Sequence, residues 1–411
     1  MGKKNQHLFL LLSIFLGVLA GYWGDSYLIF IANTLSSLFL NFLQLLALPV
    51  IFFAVLSTVS GMDDIRTLKK IGLKILTYTI STTLVASLIG LLLFSIFSPT
   101  ASIEGMETVL PDAVQKSYLE FFLKIIPPNL IGAFLEYNVV GVVFIAFIIG
   151  MASLTLTPDS RKNLHKMFNS FFDVFISLAK VIGFLVPIAV WCFVTLFTVE
   201  LKGGELDISF LGTYLFCVVL ANLLQGIVVL PLLLWFKKIP AVRLFKCMSP
   251  ALMLAFFSKS SNAALPLTLE CAKKRFKVKE KIADVTIPLC SVINMNACAA
   301  FILISVLFVA TNAGLSFSFG EKLIWVFIST LAAVGNAGVP MGCYLLTSAL
   351  LSSMGVPLTM LGLILPAYAI LDMLETAINV WSDSCITAIV DKEIPASDLN
   401  LSEGDEVNEM V

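Results

Sequence analysis

The sequence predicts an all-α polytopic membrane protein, and three observations carry that prediction. Of 411 residues, 59% are hydrophobic and only 13% are charged, a balance far outside the soluble range. The apolar runs pass the roughly 20 residues that a helical crossing needs. Short polar loops, not domains, separate them, and backbone in hydrocarbon must bond within its own segment, so helices and not a barrel are implied. One membrane unit is expected over residues 1–392, followed at 393–411 by an acidic, polar, disordered cytoplasmic tail.

Taken in order, apolar runs at about 7–23, 27–60, 71–97, 119–156, 167–198 and 208–236 predict six spans. The first, from His7, lacks a small-residue cleavage site before Trp23 and Gly24, so a retained helix is expected and not a signal peptide. Several runs exceed what a ~30 Å core requires, which calls for tilt or breaks, with Pro49, Pro127, Pro128 and Pro187 as the break sites. Lys3 and Lys4 precede the first span. Arg66, Lys69, Lys70 and Lys74, then Arg161, Lys162 and Lys166, then Lys237, Lys238, Arg243 and Lys246 follow the even-numbered ones. The opposite loops carry Glu104, Glu107 and Asp112, then Glu200, Glu205 and Asp207. This asymmetry predicts a multi-pass protein of the cell (inner) membrane with both termini cytoplasmic. A net charge of −1, with the basic residues confined to loops, gives no nucleic-acid surface. The eight cysteines show no CxxC and read as reduced packing residues. His7 and His165 lie near span ends, which argues against a histidine metal site.

Residues 247–272 are apolar enough for a seventh span, yet Lys273, Lys274, Arg275, Lys277, Lys279 and Lys281 follow. A full crossing would put that cluster outside. A re-entrant hairpin with its tip at Ser258, Lys259, Ser260, Ser261 and Asn262 keeps it inside, provided the tip lines a cavity or packs on protein. A span at about 283–310 then carries Asn294, Met295 and Asn296 at its centre, and the segment 322–356 is interrupted from Gly335 to Gly342. The last span follows. The sequence thus predicts eight transmembrane helices plus two re-entrant helical hairpins. Ser261-Asn262-Ala263-Ala264-Leu265-Pro266 resembles Gly335-Asn336-Ala337-Gly338-Val339-Pro340, and each precedes a span with polar residues at its middle. Paired broken segments of this kind are the pattern of a transporter with inverted repeats and a midplane site, here within residues 246–392.

The last span places Asp372, Glu375, Asn379 and Asp383 within an arc of roughly 80° at about 100° per residue. Carboxylates in hydrocarbon are costly and mark cation or amine sites, although such a face also serves to neutralise structural lysines or cap unwound backbone. Asp372 and Asp383 lie about 16 Å apart along the helix, too far to form an aspartyl-protease dyad with each other. Asn294 and Asn296 serve either as interhelical glue or, beside Asn379 and Asp383, as oxygen ligands for a hard monovalent cation. Thr82 and Thr83 could add hydroxyls or be back-bonded to their own helix. The two tips are either plain Gly/Pro kinks or free N–H groups that receive a substrate carboxylate, the second acting as a gate.

The serine-rich first tip ending in Leu265-Pro266, the Asn294-Met295-Asn296 motif, the second tip Gly338-Val339-Pro340 and the stretch from Asp372 to Asp383 together resemble the dicarboxylate/amino acid:cation symporter family, the bacterial and archaeal relatives of the glutamate transporters. The resemblance runs over essentially the whole chain. It implies a homotrimer held by a scaffold domain, and a transport domain that moves as an elevator. It implies that Asp372 takes the substrate amino group and Asn379 its α-carboxylate, helped by backbone at Ser261 and Val339, with Ser260 also among the substrate-binding residues. It implies one sodium site at Asn294, Asn379 and Asp383, a second at backbone around Ala333, Val334 and Asn336 with Val292, and a third at Thr82, Thr83 and Asn296.

Three departures from that family's pattern bear on the substrate. Glu375 stands where amino-dicarboxylate carriers have an arginine for the substrate side chain, with Lys259 as its candidate partner. Asn296 replaces an aspartate, which weakens the third sodium site, and Cys298 replaces a side-chain-binding threonine. The expected activity is secondary active symport of an amino acid or dicarboxylate driven by sodium or protons, without covalent chemistry or any cofactor beyond the coupling ion. The inverted charge at Glu375 favours a neutral or cationic amino acid, and a Glu375 that carries a proton opens a route to proton coupling. An uncoupled ligand-gated channel or sensor is the reading from another class.

Overall fold

The computed structural model describes residues 3–61, 65–99, 126–202, 209–336 and 341–395. Among these, all regular structure is helical. In chain order the helices are α1 (Lys3–Trp23), α2 (Ser26–Ser60), α3 (Ile65–Phe97), α4 (Leu130–Leu135), α5 (Val139–Ser153), α6 (Pro158–Lys202), α7 (Ser209–Leu224), α8 (Leu230–Phe236), α9 (Ala241–Ser258), α10 (Ser261–Glu270), α11 (Glu280–Ile293), α12 (Asn296–Asn312), α13 (Phe319–Val334), α14 (Gly342–Ser353) and α15 (Thr359–Glu393). A wide π turn, Gln225–Val229, joins α7 to α8.

By length and composition, six described stretches can cross a membrane: Ser26–Ser60, Ile71–Phe97, Ser209–Phe236, Ala241–Ser258, Glu280–Asn312 and Thr359–Glu393. Shorter apolar helices accompany them at Leu11–Trp23, Gly141–Ser153, Phe184–Val199 and Gly342–Ser353. The acidic loop residues expected at 104–112 and 205–207 lie outside the described residues. Pro127 and Pro128 precede α4, outside any helix, as expected of break sites. Pro49 and Pro187 do not break their helices: α2 and α6 run through them. A proline removes a single donor, and neighbouring turns and helices can absorb that loss inside a membrane bundle.

Helices α1, α2, α5 and α6 pack on one another, whereas α3 packs against α7, α12 and α13. Helix α12 lies innermost. Every residue from Asn296 to Ala310 is buried, and a helix apolar all round has to be surrounded by protein.

Two apolar clusters make up the interior. One contains α12 from Cys298 onward, α14, and α15 up to Leu371. The other contains α9, α11 up to Cys290, and α15 from Val380. Asn294 and the stretch from Asp372 to Asn379 therefore fall at the seam between them. Polar groups at that depth need partners from protein or ligand, so the seam is where a site belongs.

Glu393, the first residue of the expected tail, is still the last residue of α15. Its carboxylate accepts from Lys74 Nζ at 2.5 Å, Lys237 Nζ at 2.6 Å and Tyr78 OH at 2.5 Å. This cluster ties the end of α15 to α3 and to the end of α8. Glu393→Gln is expected to lower stability by about 1–2 kcal/mol, given charge-assisted bonds discounted for their partial exposure. The thermal unfolding midpoint in detergent checks this, and an unchanged midpoint would show that the helix end is held elsewhere.

Candidate functional site

Helical spacing brings Asp372, Glu375, Thr376, Asn379, Ser382 and Asp383 to one side of α15. That side meets the break between α11 and α12, where Asn294 (φ −99°, ψ 73°) and Met295 (φ −108°, ψ 62°) leave the helical region. A buried network closes the junction. Asn294 Nδ2 donates to Asp383 Oδ1 at 2.8 Å and to Ser382 Oγ at 2.9 Å, and Asn296 Nδ2 donates to the same hydroxyl at 2.6 Å. Asn379 Oδ1 accepts from the backbone N–H of Ala297 at 3.0 Å. Asn296 Oδ1 accepts from Thr83 at 2.7 Å and Thr82 at 3.3 Å, while Gln225 Nε2 donates to the Thr82 carbonyl at 3.1 Å.

Two helix turns face this junction. Helix α9 ends at Lys259 (φ 54°, ψ 36°), and α14 begins after Met341 (φ 58°, ψ 19°). Both are non-glycine residues in the left-handed region, at a cost of about 1–2 kcal/mol each. At the first turn Ser260 Oγ accepts from the Ala263 N–H at 3.2 Å and caps α10, whose first residue is Ser261. At the second, Gly342 lies so close to Asn336 that a Cβ would run into its amide oxygen.

One cavity sits between the turns and α15. Lys259, Ser261, Met295, Cys298, Asn336, Gly342, Cys343, Asp372, Glu375, Thr376 and Asn379 line it, and its volume is about 20 Å³. That is room for about one water, so an amino acid requires one of the walls to move.

Most of the site read from sequence converges here, with corrections. Lys259, Ser261, Cys298, Asp372, Glu375 and Asn379 line the cavity together. Ser260 acts as a helix cap. Val339 lies outside the described residues. Asn336, expected at a cation site, lines the cavity with its side chain. Val292 is in the last turn of α11, and Ala333 and Val334 are in the last turn of α13; the two helices touch, and the Ala333 carbonyl accepts from the Asn336 N–H at 3.1 Å. Lys259 does not pair with Glu375. Both Glu375 oxygens are buried without a hydrogen-bond partner among the described residues. Nor are all cysteines free: Cys298 and Cys343, with Cα atoms 5.5 Å apart, form a disulfide.

Sequence reading missed Cys343, Thr376, Ser382 and Gln225. Thr376, one turn after Asp372, and Ser382, three positions after Asn379, could have been found by filling in that face of the helix. Ser382 Oγ accepts from both Asn294 Nδ2 and Asn296 Nδ2 and so bridges them. Ser382→Ala is therefore expected to destabilise the protein by about 1–2 kcal/mol. Ser384→Ala, which removes only a bond to the Val380 carbonyl, should do far less. Unfolding midpoints of the two variants in detergent make the comparison, and equal shifts would deny Ser382 its bridging role.

The chain resembles neutral amino acid transporter B(0) of Oryctolagus cuniculus, 28% identical over 385 residues covering 84% of this chain and 71% of that protein. Neutral amino acid transporter A of Bos taurus is 26% identical over 389 residues, covering 84% and 73%. A putative sodium-dependent excitatory amino acid transporter, glt-4, of Caenorhabditis elegans is 25% identical over 459 aligned positions, covering 95% and 91%. The family these comparisons point to is one of transporters, not enzymes, in keeping with the apolar helices of a multi-pass membrane protein. Residues 7–393 match the sodium:dicarboxylate symporter family, and the chain belongs to it.

Proposed function

We propose that the chain is a sodium-coupled symporter that carries an amino acid with a neutral or cationic side chain through the cavity beside α15. The observation that carries this reading is Glu375. It is 1% exposed, lines the cavity, and offers two carboxyl oxygens without a donor among the described residues. A buried carboxyl has to be matched by a proton or by a donor on the ligand. A substrate carboxylate would add a like charge beside Glu375, whereas a hydroxyl, amide or ammonium side chain would supply the missing partner. Two of the similar proteins bear the name neutral amino acid transporter, which supports the same choice.

In this reading Asp372 receives the substrate ammonium, and Asn379 with the N–H groups at Ser261 and Val339 receives its carboxylate. Sodium lies between Asn294 and Asp383, where the Asn294 amide oxygen is buried without a donor among the described residues. Oxygen donors suit a hard cation. A second sodium takes backbone oxygens near Val292, Ala333, Val334 and Asn336. At Thr82, Thr83 and Asn296 the hydroxyls are already donated to the amide, which counts against a third. Eight crossings with two re-entrant hairpins, cytoplasmic termini in the cell membrane, a homotrimer, and an elevator movement of a transport subdomain whose site is carried by residues 246–392 complete the proposal.

Tracer uptake into proteoliposomes tests it. Alanine, serine and lysine are expected to accumulate against their gradients when sodium is imposed outside, and aspartate is not. A channel would only equilibrate them, and failure of both sodium and proton gradients to concentrate any amino acid would end the symporter reading. Glu375→Arg is expected to raise aspartate uptake by roughly tenfold or more, the factor that about 1.4 kcal/mol brings. Unchanged selectivity would remove Glu375 from its assigned role.

A further inference from the structure

Three sulfur-bearing side chains crowd the cavity wall at Met295, Cys298 and Cys343, an odd lining for a pocket whose other groups suit a hard cation and an ammonium. One Sγ from each of Cys298 and Cys343 and one carboxyl oxygen of Glu375 lie within 4.8 Å of one another, and all three residues are buried. Glu375 brings an unpartnered carboxyl to this cluster. The sulfurs also have donors poised behind them. Asn336 Nδ2 lies 3.2 Å from the Cys298 sulfur and 3.4 Å from that of Cys343, and Asn379 Nδ2 lies 3.4 Å from Cys298.

We infer that, once the Cys298–Cys343 bond is reduced, these two thiolates and Glu375 form a site for a thiophilic divalent cation of the zinc class. Two sulfurs and a carboxylate oxygen make up the three-ligand set that leaves a fourth position open on a tetrahedral ion. With metal–sulfur bonds of about 2.3 Å, a tetrahedral ion holds two sulfurs about 3.8 Å apart, so the cleaved pair has to move apart to that distance. The amide donors of Asn336 and Asn379 act as the outer shell that stabilises thiolate charge. Soft sulfur disfavours sodium, so this site is chemically distinct from the oxygen cluster at Asn294 and Asp383, although it shares the cavity wall. Cys298 belongs to α12 and Cys343 to the first turn of α14, so a bound ion would also clamp the second turn onto α12.

Reduction by a water-soluble phosphine breaks the S–S bond. The phosphine gives up two electrons and takes the oxygen of a water molecule, whose two protons go to the sulfurs. Binding of the cation then releases both thiol protons to solvent.

The test uses the full chain in detergent, titrated with Cd²⁺ as a spectroscopic probe. Thiolate-to-cadmium charge-transfer absorbance and filtration-measured stoichiometry are the readouts. Reduced wild-type protein is expected to bind one Cd²⁺ per chain at this site, and wild-type protein oxidised with a diazene to bind none there. This comparison needs no variant to fold. Cys298→Ser and Cys343→Ser should each lose the absorbance, Cys192→Ala should keep it, and Glu375→Gln should weaken binding by roughly tenfold or more, at least the loss that follows removal of an outer-shell partner. Equal binding by oxidised and reduced protein, no binding by the reduced form, or retention in both serine variants would overturn the site. Amino acid uptake enters none of these readouts, so the outcome stands apart from that of the transport reading.

Discussion

A buried polar layer between two apolar cores is the constraint on which the rest of this molecule depends. Amides, hydroxyls and carboxyls placed there cannot turn to water, so each has to find a partner within reach. A continuous helix uses its backbone groups on itself and offers only side chains. Interrupting α11–α12 at Asn294 and Met295 frees backbone and aims two asparagines at α15. The break is thus a condition for matching the layer and not a flaw in the helix. Ser382 completes the match by accepting from both asparagine side chains.

The two turns that face this layer share a backbone solution. Lys259 and Met341 both occupy the left-handed region without being glycine, and such conformations persist only where their surroundings over-determine them. The glycine of the second turn, Gly342, does a different job: it permits close approach to Asn336. Together they shut the cavity to the dimension of a single water. A site this tight binds nothing larger unless one of its walls yields.

How much could be read from sequence depended on whether a signal was local. The acidic face of α15 was legible because helical periodicity fixes which side chains share a side. The interruption before α14 was legible because asparagine, glycine and proline punctuate an otherwise apolar run, and Asn294 and Asn296 were legible as polar residues at the centre of a span. The Cys298–Cys343 bond was not, since the two residues are separated by 45 positions and nothing in their spacing announces contact. The expected partnership of Lys259 with Glu375 failed for a related reason: opposite charge suggests a pair, but only the path of the turn decides whether the lysine reaches the carboxylate, and both Glu375 oxygens stay without a hydrogen-bond partner among the described residues. Pro49 and Pro187 show that a proline announces a lost donor and not, by itself, the end of a helix. Ser382 carries no signal of its own in the sequence, and only the packing of α15 against the α11–α12 break shows what it bonds.

Asn296 ties three helices together, with its amide bonded to Thr82 and Thr83 on α3 and to Ser382 on α15. Every partner in that corner is uncharged. Its strength is therefore indifferent to ionic strength and to the electrical potential across the bilayer, unlike the acidic groups a few ångströms away. A displacement of α15 and α12 that left α3 behind would have to break the bonds from Thr82 and Thr83 to Asn296.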